Sequence, residues 1–269
     1  MSLIVYADFT SPECYLAARR CDALAEAGVP VDFRAVEHRP ARPVAGMRLT
    51  AAEQDRLTER FRVLEDLLLP GEQLRWTMPP ISVKSEAAIS AYAAVADTSV
   101  AAEVRRLLFE LYWREGKDIG NPNVLRTPLA GPVLRSGADA DPLRQIGYAV
   151  TVDRGPITTD AYRRIRSWRT EWQELGEPEL PVVLTEGATL HGLEAIRRLG
   201  KELAYVGADV DPDFPDPRRY APERVQPSPF WVSWIGGRWR NNYRLDAPAG
   251  PRPTGDRRNR TVQQHPGAW

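Results

Sequence analysis

The sequence predicts an α/β fold whose sheet is split by a large all-helical insertion, and three observations carry that expectation. Residues 3–9, LIVYADF, form an apolar run rich in β-branched and aromatic residues and too short for a helix, so they read as a buried strand. A helix start follows immediately, and VDFRAV at 31–36 reads as a second strand; strand, helix, strand opens a parallel α/β unit. Strand character then vanishes and returns only at Leu180-Pro181-Val182-Val183-Leu184-Thr185.

Each element has a local reason. Ser11 suits an N-cap, where its hydroxyl can accept from a backbone N–H of the first turn, and Pro12 suits the first helical position, where its missing N–H is no loss. Cys14, Ala17, Ala18, Cys21, Leu24 and Ala25 recur at helical spacing and mark the face of this helix expected to meet the core, with Gly28 ending it. Thr50 and Glu53 form a capping-box pattern ahead of Leu57, Phe61, Leu64 and Leu68. Further helical patterns cover about 84–96, 99–115 and 159–175, separated by loop signals at Met78-Pro79-Pro80, Gly116 and Asn121-Pro122. After the Leu-Pro-Val strand, Glu186-Gly187 marks a turn, residues 188–192 a second short strand and 193–204 a helix. Prolines and aspartates dominate 206–229, which reads as an extended tail, and PFWVSWI and RWRNNYRL flank Gly236-Gly237 as a hairpin whose Trp231, Trp234, Trp239 and Tyr243 are expected to pack on the body or on a second subunit. The expected organisation is therefore an α/β core at 1–46 and 177–205, a helical insertion at 47–176 and a Pro/Trp-rich C-terminal extension at 206–269.

Composition narrows the class. A chain of 269 residues with 43% hydrophobic content can bury a core without disulfides. Charge balances at 36 cationic against 36 anionic residues, and the arginine pairs Arg19/Arg20, Arg105/Arg106, Arg163/Arg164 and Arg197/Arg198 lie in helical segments among acidic residues; solvated helix faces, not a nucleic-acid footprint, are expected there. Two cysteines and three histidines without Cys-x-x-Cys or His-x3-His spacing give no zinc pattern, so no metal is expected. No run reaches the ~18 apolar residues of a membrane span, and the N-terminus lacks the features of a secretory signal, so the expected location is cytoplasmic with no membrane partner.

Residues 7–16, ADFTSPECYL, carry the chemistry. They read like a Cys-Pro-x-Cys thiol motif in which Ser11 stands at the first cysteine position. Cys14 and Cys21 cannot form a disulfide in its place: seven residues of helix span about 10 Å, beyond the ~7 Å that a disulfide bridges. Cys21 reads as a core residue, and Cys14 as either a core residue or a lone reactive thiol. The Ser11 hydroxyl lies at the positive end of a helix, where free N–H groups favour an anion such as a thiolate; an N-cap alone is the plainer role, and Asp8 and Glu13 oppose an anion. Tyr15, Trp76 and Met78 are candidates to line an apolar substrate pocket, or simply core. His38 and His191 are the only histidines placed for acid–base work, each otherwise a surface or loop residue. No Ser-His-Asp or paired-carboxylate constellation can be read.

The element order, with ADFTSPECYL at the first helix, LLFELYWREGKDIGNPNVL in the insertion and ELPVVLTEGATLHGLEAI near the end, resembles the DsbA-like branch of the thioredoxin fold, including 2-hydroxychromene-2-carboxylate isomerase and kappa-class glutathione transferase. In the second stretch Phe109, Tyr112, Gly116, Asp118, Ile119, Pro122 and Leu125 fit the family pattern, and the resemblance covers roughly residues 3–204. It implies that Pro181 is a cis proline facing the first helix, with Leu180 and Val182 flanking the site. It further implies that Ser11 and Pro12 hold the sulfur of glutathione or another low-molecular-weight thiol, with Ser11 and Cys14 the candidate catalytic residues. The chain departs from the isomerases at Glu13, where they usually carry an aromatic residue, and at Cys14, where they often carry a second serine.

The expected function is thus thiol chemistry of an isomerase or transferase type, in which a bound thiol attacks an electrophilic small molecule. Two alternatives stay open: a monothiol-disulfide oxidoreductase acting through Cys14, and a non-catalytic thioredoxin-fold binding module. A homodimer is compatible with all three.

Overall fold

The computed structural model describes residues 2–138, 141–207, 232–235 and 238–241. Strand β1 (Leu3–Ala7) lies inside a four-stranded sheet. It pairs in parallel with β2 (Val31–Ala35), Val5 opposite Phe33, and antiparallel with β5 (Val182–Thr185), Val5 opposite Val183. Strand β6 (Ala188–His191) pairs antiparallel with β5 and completes the order β2-β1-β5-β6. A central strand covered on both faces has no need of polar alternation, which is why LIVYA reads as an unbroken apolar run.

Helix α1 (Pro12–Glu26) makes the crossover between β1 and β2, and it departs from the one-faced burial expected of it. Every residue from Pro12 to Leu24 is buried, and Ala25, expected on the core face, is exposed where the helix leaves the core. The cause is that α2 (Ala51–Glu65), α4 (Ala101–Trp113) and α8 (Gly192–Val206) all pack against it.

Buried polar residues on such a helix must be paired internally. Arg20, 1% exposed, meets Glu72 through Nε and Nη2 and also donates to the carbonyls of Leu67 and Ile196. Arg105 reaches from α4 to the buried Asp22 and lies 4.8 Å over the Phe33 ring. The expectation of solvated arginine faces is therefore corrected for Arg19, Arg20 and Arg105, which are buried: Arg20 ties α1 to α8, Arg105 ties α4 to α1, and Arg19 holds the Gln73 carbonyl of the loop after α2.

Between β2 and β5 the chain forms α2, α3 (Glu86–Ala93), α4, α5 (Pro122–Arg135), α6 (Asp141–Ile146) and α7 (Thr159–Glu174), with a two-residue pairing of β3 (Met47–Arg48) and β4 (Ile81–Ser82). The capping box at Thr50 and Glu53 forms as its pattern implies. Helix α5 differs from the expected loop signal at Asn121-Pro122: Asn121 caps it, and Leu125, Leu129 and Val133, buried at four-residue spacing, carry it across Pro128 and Pro132. Phe9, Phe33, Tyr92 and Phe109 join sheet and helices in one aromatic cluster, with Phe9 and Phe109 ring centroids 4.9 Å apart.

Two further strands, β7 (Val232–Ile235) and β8 (Arg238–Asn241), pair antiparallel with Trp234 opposite Trp239, in a unit of their own. The expected packing of Trp231, Trp234, Trp239 and Tyr243 lies outside the described side chains.

Candidate active site

Three chain segments meet at the carboxyl end of β1. Beyond Ala7 the chain enters the turn Asp8–Ser11 and then α1, and the Ser11 N–H bonds to the Asp8 carbonyl at 3.2 Å. On one side β2 runs in register, Ala35 opposite Ala7, and the Val36 N–H reaches the Ala7 carbonyl at 2.9 Å, so residues 36–38 continue past the same edge. On the other side Tyr6 pairs with Val182, which brings Pro181 level with the end of β1. The Leu180–Pro181 bond is cis. The Gly192 N–H holds the Pro181 carbonyl at 2.9 Å, and a Cβ at Gly192 would meet the Glu179 carboxylate at 2.8 Å. Among the described residues the backbone of Leu180 makes no hydrogen bond. Ser11, Pro12, Leu180, Pro181 and Val182 thus share one edge of the sheet, and all five are buried.

Ser11 has the extended backbone of an N-cap, and its hydroxyl accepts from the Cys14 N–H at 3.4 Å. The hydroxyl proton is also engaged, since Oγ donates to Oε2 of Glu13 at 2.8 Å. Glu13 is clamped in turn by Arg60 of α2, through Nε at 2.7 Å and through Nη2. A carboxylate of the chain itself thereby stands beside the positive end of α1, where the sequence places a ligand anion.

Cys14 is fully buried, and burial pushes its thiol far above the ordinary value despite the opposing hydrogen bond from Ser11. Cys21 is equally buried and is pushed up to about 12, also by burial, with Arg105 opposing. Both cysteines are free thiols.

Sequence reading named Asp8 and His38 separately and missed that they meet as the polar centre of the site. Asp8 is wholly buried and its carboxylate takes five donors: the Thr10 N–H and hydroxyl at 2.8 Å each on Oδ1, and on Oδ2 the His38 N–H at 3.0 Å, His38 Nδ1 at 2.8 Å and the Ser85 hydroxyl at 3.0 Å. Burial alone would raise this carboxyl; the hydrogen bonds and charge of His38 and the N–H of Thr10 outweigh it and hold the group below its ordinary value. Beside it, Glu37 is pushed up to about 7 by burial, with Lys84 opposing and the like charges of Asp8 and Glu86 adding to the rise. The Glu37 Oε1 atom is buried without a hydrogen-bond partner among the described residues. One signal could have found the pair: Asp8 lies near the end of the first of two strands read as parallel and His38 two residues past the second, which places both at the same edge.

The remaining candidates divide. Tyr15 belongs to the core, stacked on Phe109 with its hydroxyl on the Arg75 carbonyl. Trp76 stacks face to face on Phe61 at 3.9 Å and, like Met78, is half-buried. His191 is exposed on β6 opposite Val182, the residue after the cis proline. Among the described residues no group of His, Cys, Asp and Glu is arranged to hold a metal ion, and no helix is long and apolar enough to cross a membrane.

With this geometry in view, the comparisons with known proteins agree on the fold. The chain is structurally similar to a 2-hydroxychromene-2-carboxylate isomerase at 18% identity, with a TM-score of 0.52 over 77% of this chain and 96% of the isomerase. It is similar to a probable DsbA oxidoreductase from Streptomyces coelicolor at 17% identity, with a TM-score of 0.54 over 77% and 90%. A third likeness is to the cytosolic disulfide reductase DsbM of Pseudomonas aeruginosa, in a structure with GSH, at 16% identity and a TM-score of 0.53 over 77% and 98%. Comparison with the curated proteins gives no match. The model of the DSBA-like thioredoxin domain matches residues 2–146, more than half of the sequence, and the chain belongs to the DsbA-like thioredoxin family.

Proposed function

We propose that this protein is a thiol-dependent enzyme of isomerase or transferase type: a low-molecular-weight thiol, glutathione or a similar compound, seats its sulfur at the start of α1, and the thiolate attacks an electrophilic small molecule. The observation that carries this reading is the pairing of Ser11 at the N-cap with two cysteines withdrawn into the core. The chain has the helix end that favours a thiolate, yet its own thiols are buried and held protonated. A nucleophilic sulfur at this corner then has to come from a ligand. The backbone of Leu180 beside the cis proline, without a hydrogen bond among the described residues, offers a main-chain donor and acceptor to such a ligand. That a structurally similar disulfide reductase was solved with GSH adds support.

The burial of Cys14 argues against the monothiol oxidoreductase, because the thiolate is the reactive form and the folded protein disfavours it. Thermal unfolding with a series of thiols at large excess tests the proposal. A ligand that binds only the folded chain at about 100 times its Kd stabilises by about 2.7 kcal/mol, a rise of several degrees in Tm. Absence of any rise with glutathione, N-acetylcysteine or cysteamine would overturn it.

A further inference from the structure

We propose that His38 is the proton-transfer residue of this site, with Nε2 taking the proton of the bound thiol and returning it to the substrate. The inference deepens the thiol reading above and rests on it.

The Asp8 carboxylate is an acceptor only, so its 2.8 Å contact with His38 Nδ1 requires the proton to sit on Nδ1. In the neutral ring Nε2 then carries the free lone pair and can act as a base. Asp8 is in no position to take a proton itself, since five donors already meet its two oxygens. Its negative charge, 1% exposed, instead stabilises the imidazolium that forms when Nε2 is protonated. Asp8 is therefore a positioning residue, and Thr10 and Ser85 fix it in turn.

A purely structural histidine would need only Nδ1–H and its backbone N–H, both of which Asp8 uses. Nε2, across the ring, has no hydrogen-bond partner among the described residues, and the side chain keeps 21% of its exposure, enough to hold the ring and still reach a ligand. Its location is the same strand edge as Ser11, whose N–H bonds to the carbonyl of Asp8. A thiol at the start of α1 and a base on Asp8 are thus served by one turn.

The step balances without an oxidant or reductant. The S–H bond breaks, the proton goes to Nε2 and the electron pair stays on sulfur. Sulfur bonds to the β carbon of a carbon–carbon double bond conjugated to a carbonyl, the π pair moves to give an enolate, and Nε2 returns the proton to the α carbon of that enolate. The charged and titratable groups around the pair among the described residues are Glu37 and Arg39 beside it, Cys14 from α1, Arg42 along the same loop, Arg60 from α2, Lys84 and Glu86 at the start of α3, Tyr112 from α4 and Arg169 from α7.

The test uses the whole protein, His38→Asn and Glu37→Gln. Asparagine keeps an N–H for Asp8 and removes Nε2. Binding of glutathione and S-methylglutathione is measured by calorimetry, bound thiolate by its ultraviolet absorbance against pH, and turnover with the enone trans-4-phenyl-3-buten-2-one. His38→Asn is expected to bind S-methylglutathione within about twofold of the parent, to form bound thiolate only at a pH about one unit or more higher, and to lose at least about 100-fold in turnover together with the acid limb of the pH profile. Glu37→Gln is expected to keep that limb. If neither compound binds the parent, the thiol reading falls and takes this inference with it. If both bind and His38→Asn matches the parent in thiolate formation and pH profile, or the limb disappears with Glu37→Gln, His38 alone is overturned.

Discussion

The Ser11 hydroxyl donates to Glu13 at 2.8 Å, so the donor that a bound thiolate would need is already engaged by a carboxylate two residues along. Arg60 holds that carboxylate in place, and Ser11 is only 2% exposed. On the proposed reading, a thiol would have to displace the Glu13–Arg60 pair from the start of α1.

Glu13→Ala should accordingly strengthen thiol binding. The change frees the Ser11 donor and removes a like charge beside the thiolate, and the Arg60 side chain, 36% exposed, remains solvated when unpaired. About a tenfold gain in glutathione affinity at neutral pH, about 1.4 kcal/mol, is expected by titration calorimetry. Weaker binding in the variant would mean that Glu13 holds the ligand and does not exclude it.

Native-state alkylation separates the thiol readings. Both cysteines are fully buried with raised pKa values, so iodoacetamide at neutral pH should modify the folded protein at least about 100-fold more slowly than the denatured chain, in which two thiols react. Rapid labelling of Cys14 in the folded protein would restore the monothiol oxidoreductase.

The parts of the fold that could be read in the sequence are those set by local physics. The apolar run of β1, the Ser11-Pro12 helix start and the Thr50–Glu53 capping box each declare themselves within a few residues, and each forms. Helix α5 was missed because Asn121-Pro122 reads equally as a loop signal and as a helix start, although Leu125, Leu129 and Val133 keep the helical spacing across Pro128 and Pro132. Ser11 and Pro181 could be placed through the resemblance. The partners that decide what Ser11 does could not: Arg60 is 47 residues from Glu13, and Ser85 is 77 from Asp8, so both contacts exist only once the insertion has folded onto the sheet. Buried arginines escaped for the same reason, since nothing local distinguishes Arg20, which finds Glu72 inside, from an arginine left in water.

Asp8 should prove an acid-sensitive pin of the fold. Asp8→Ala strands the Thr10, His38 and Ser85 donors and should cost about 3 to 5 kcal/mol in urea unfolding. The pH dependence has a definite sign. The folded-state pKa lies below the unfolded value of 3.8, so the stabilisation is complete above that value and fades as pH falls through the folded pKa. Asp8→Asn, which cannot titrate, should lack this part of the acid loss; an unchanged acid slope would contradict the assignment.

The central claim, a thiolate held by Ser11 at the start of α1, is tested most directly by titration calorimetry of the parent and Ser11→Ala with glutathione and S-methylglutathione. Methylation removes the ionisable proton and leaves the rest of the ligand intact. The account predicts that the parent prefers glutathione by about tenfold or more, and that Ser11→Ala loses most of this preference while still binding S-methylglutathione. Equal affinities for the two compounds in the parent, or a preference that survives in Ser11→Ala, would contradict it.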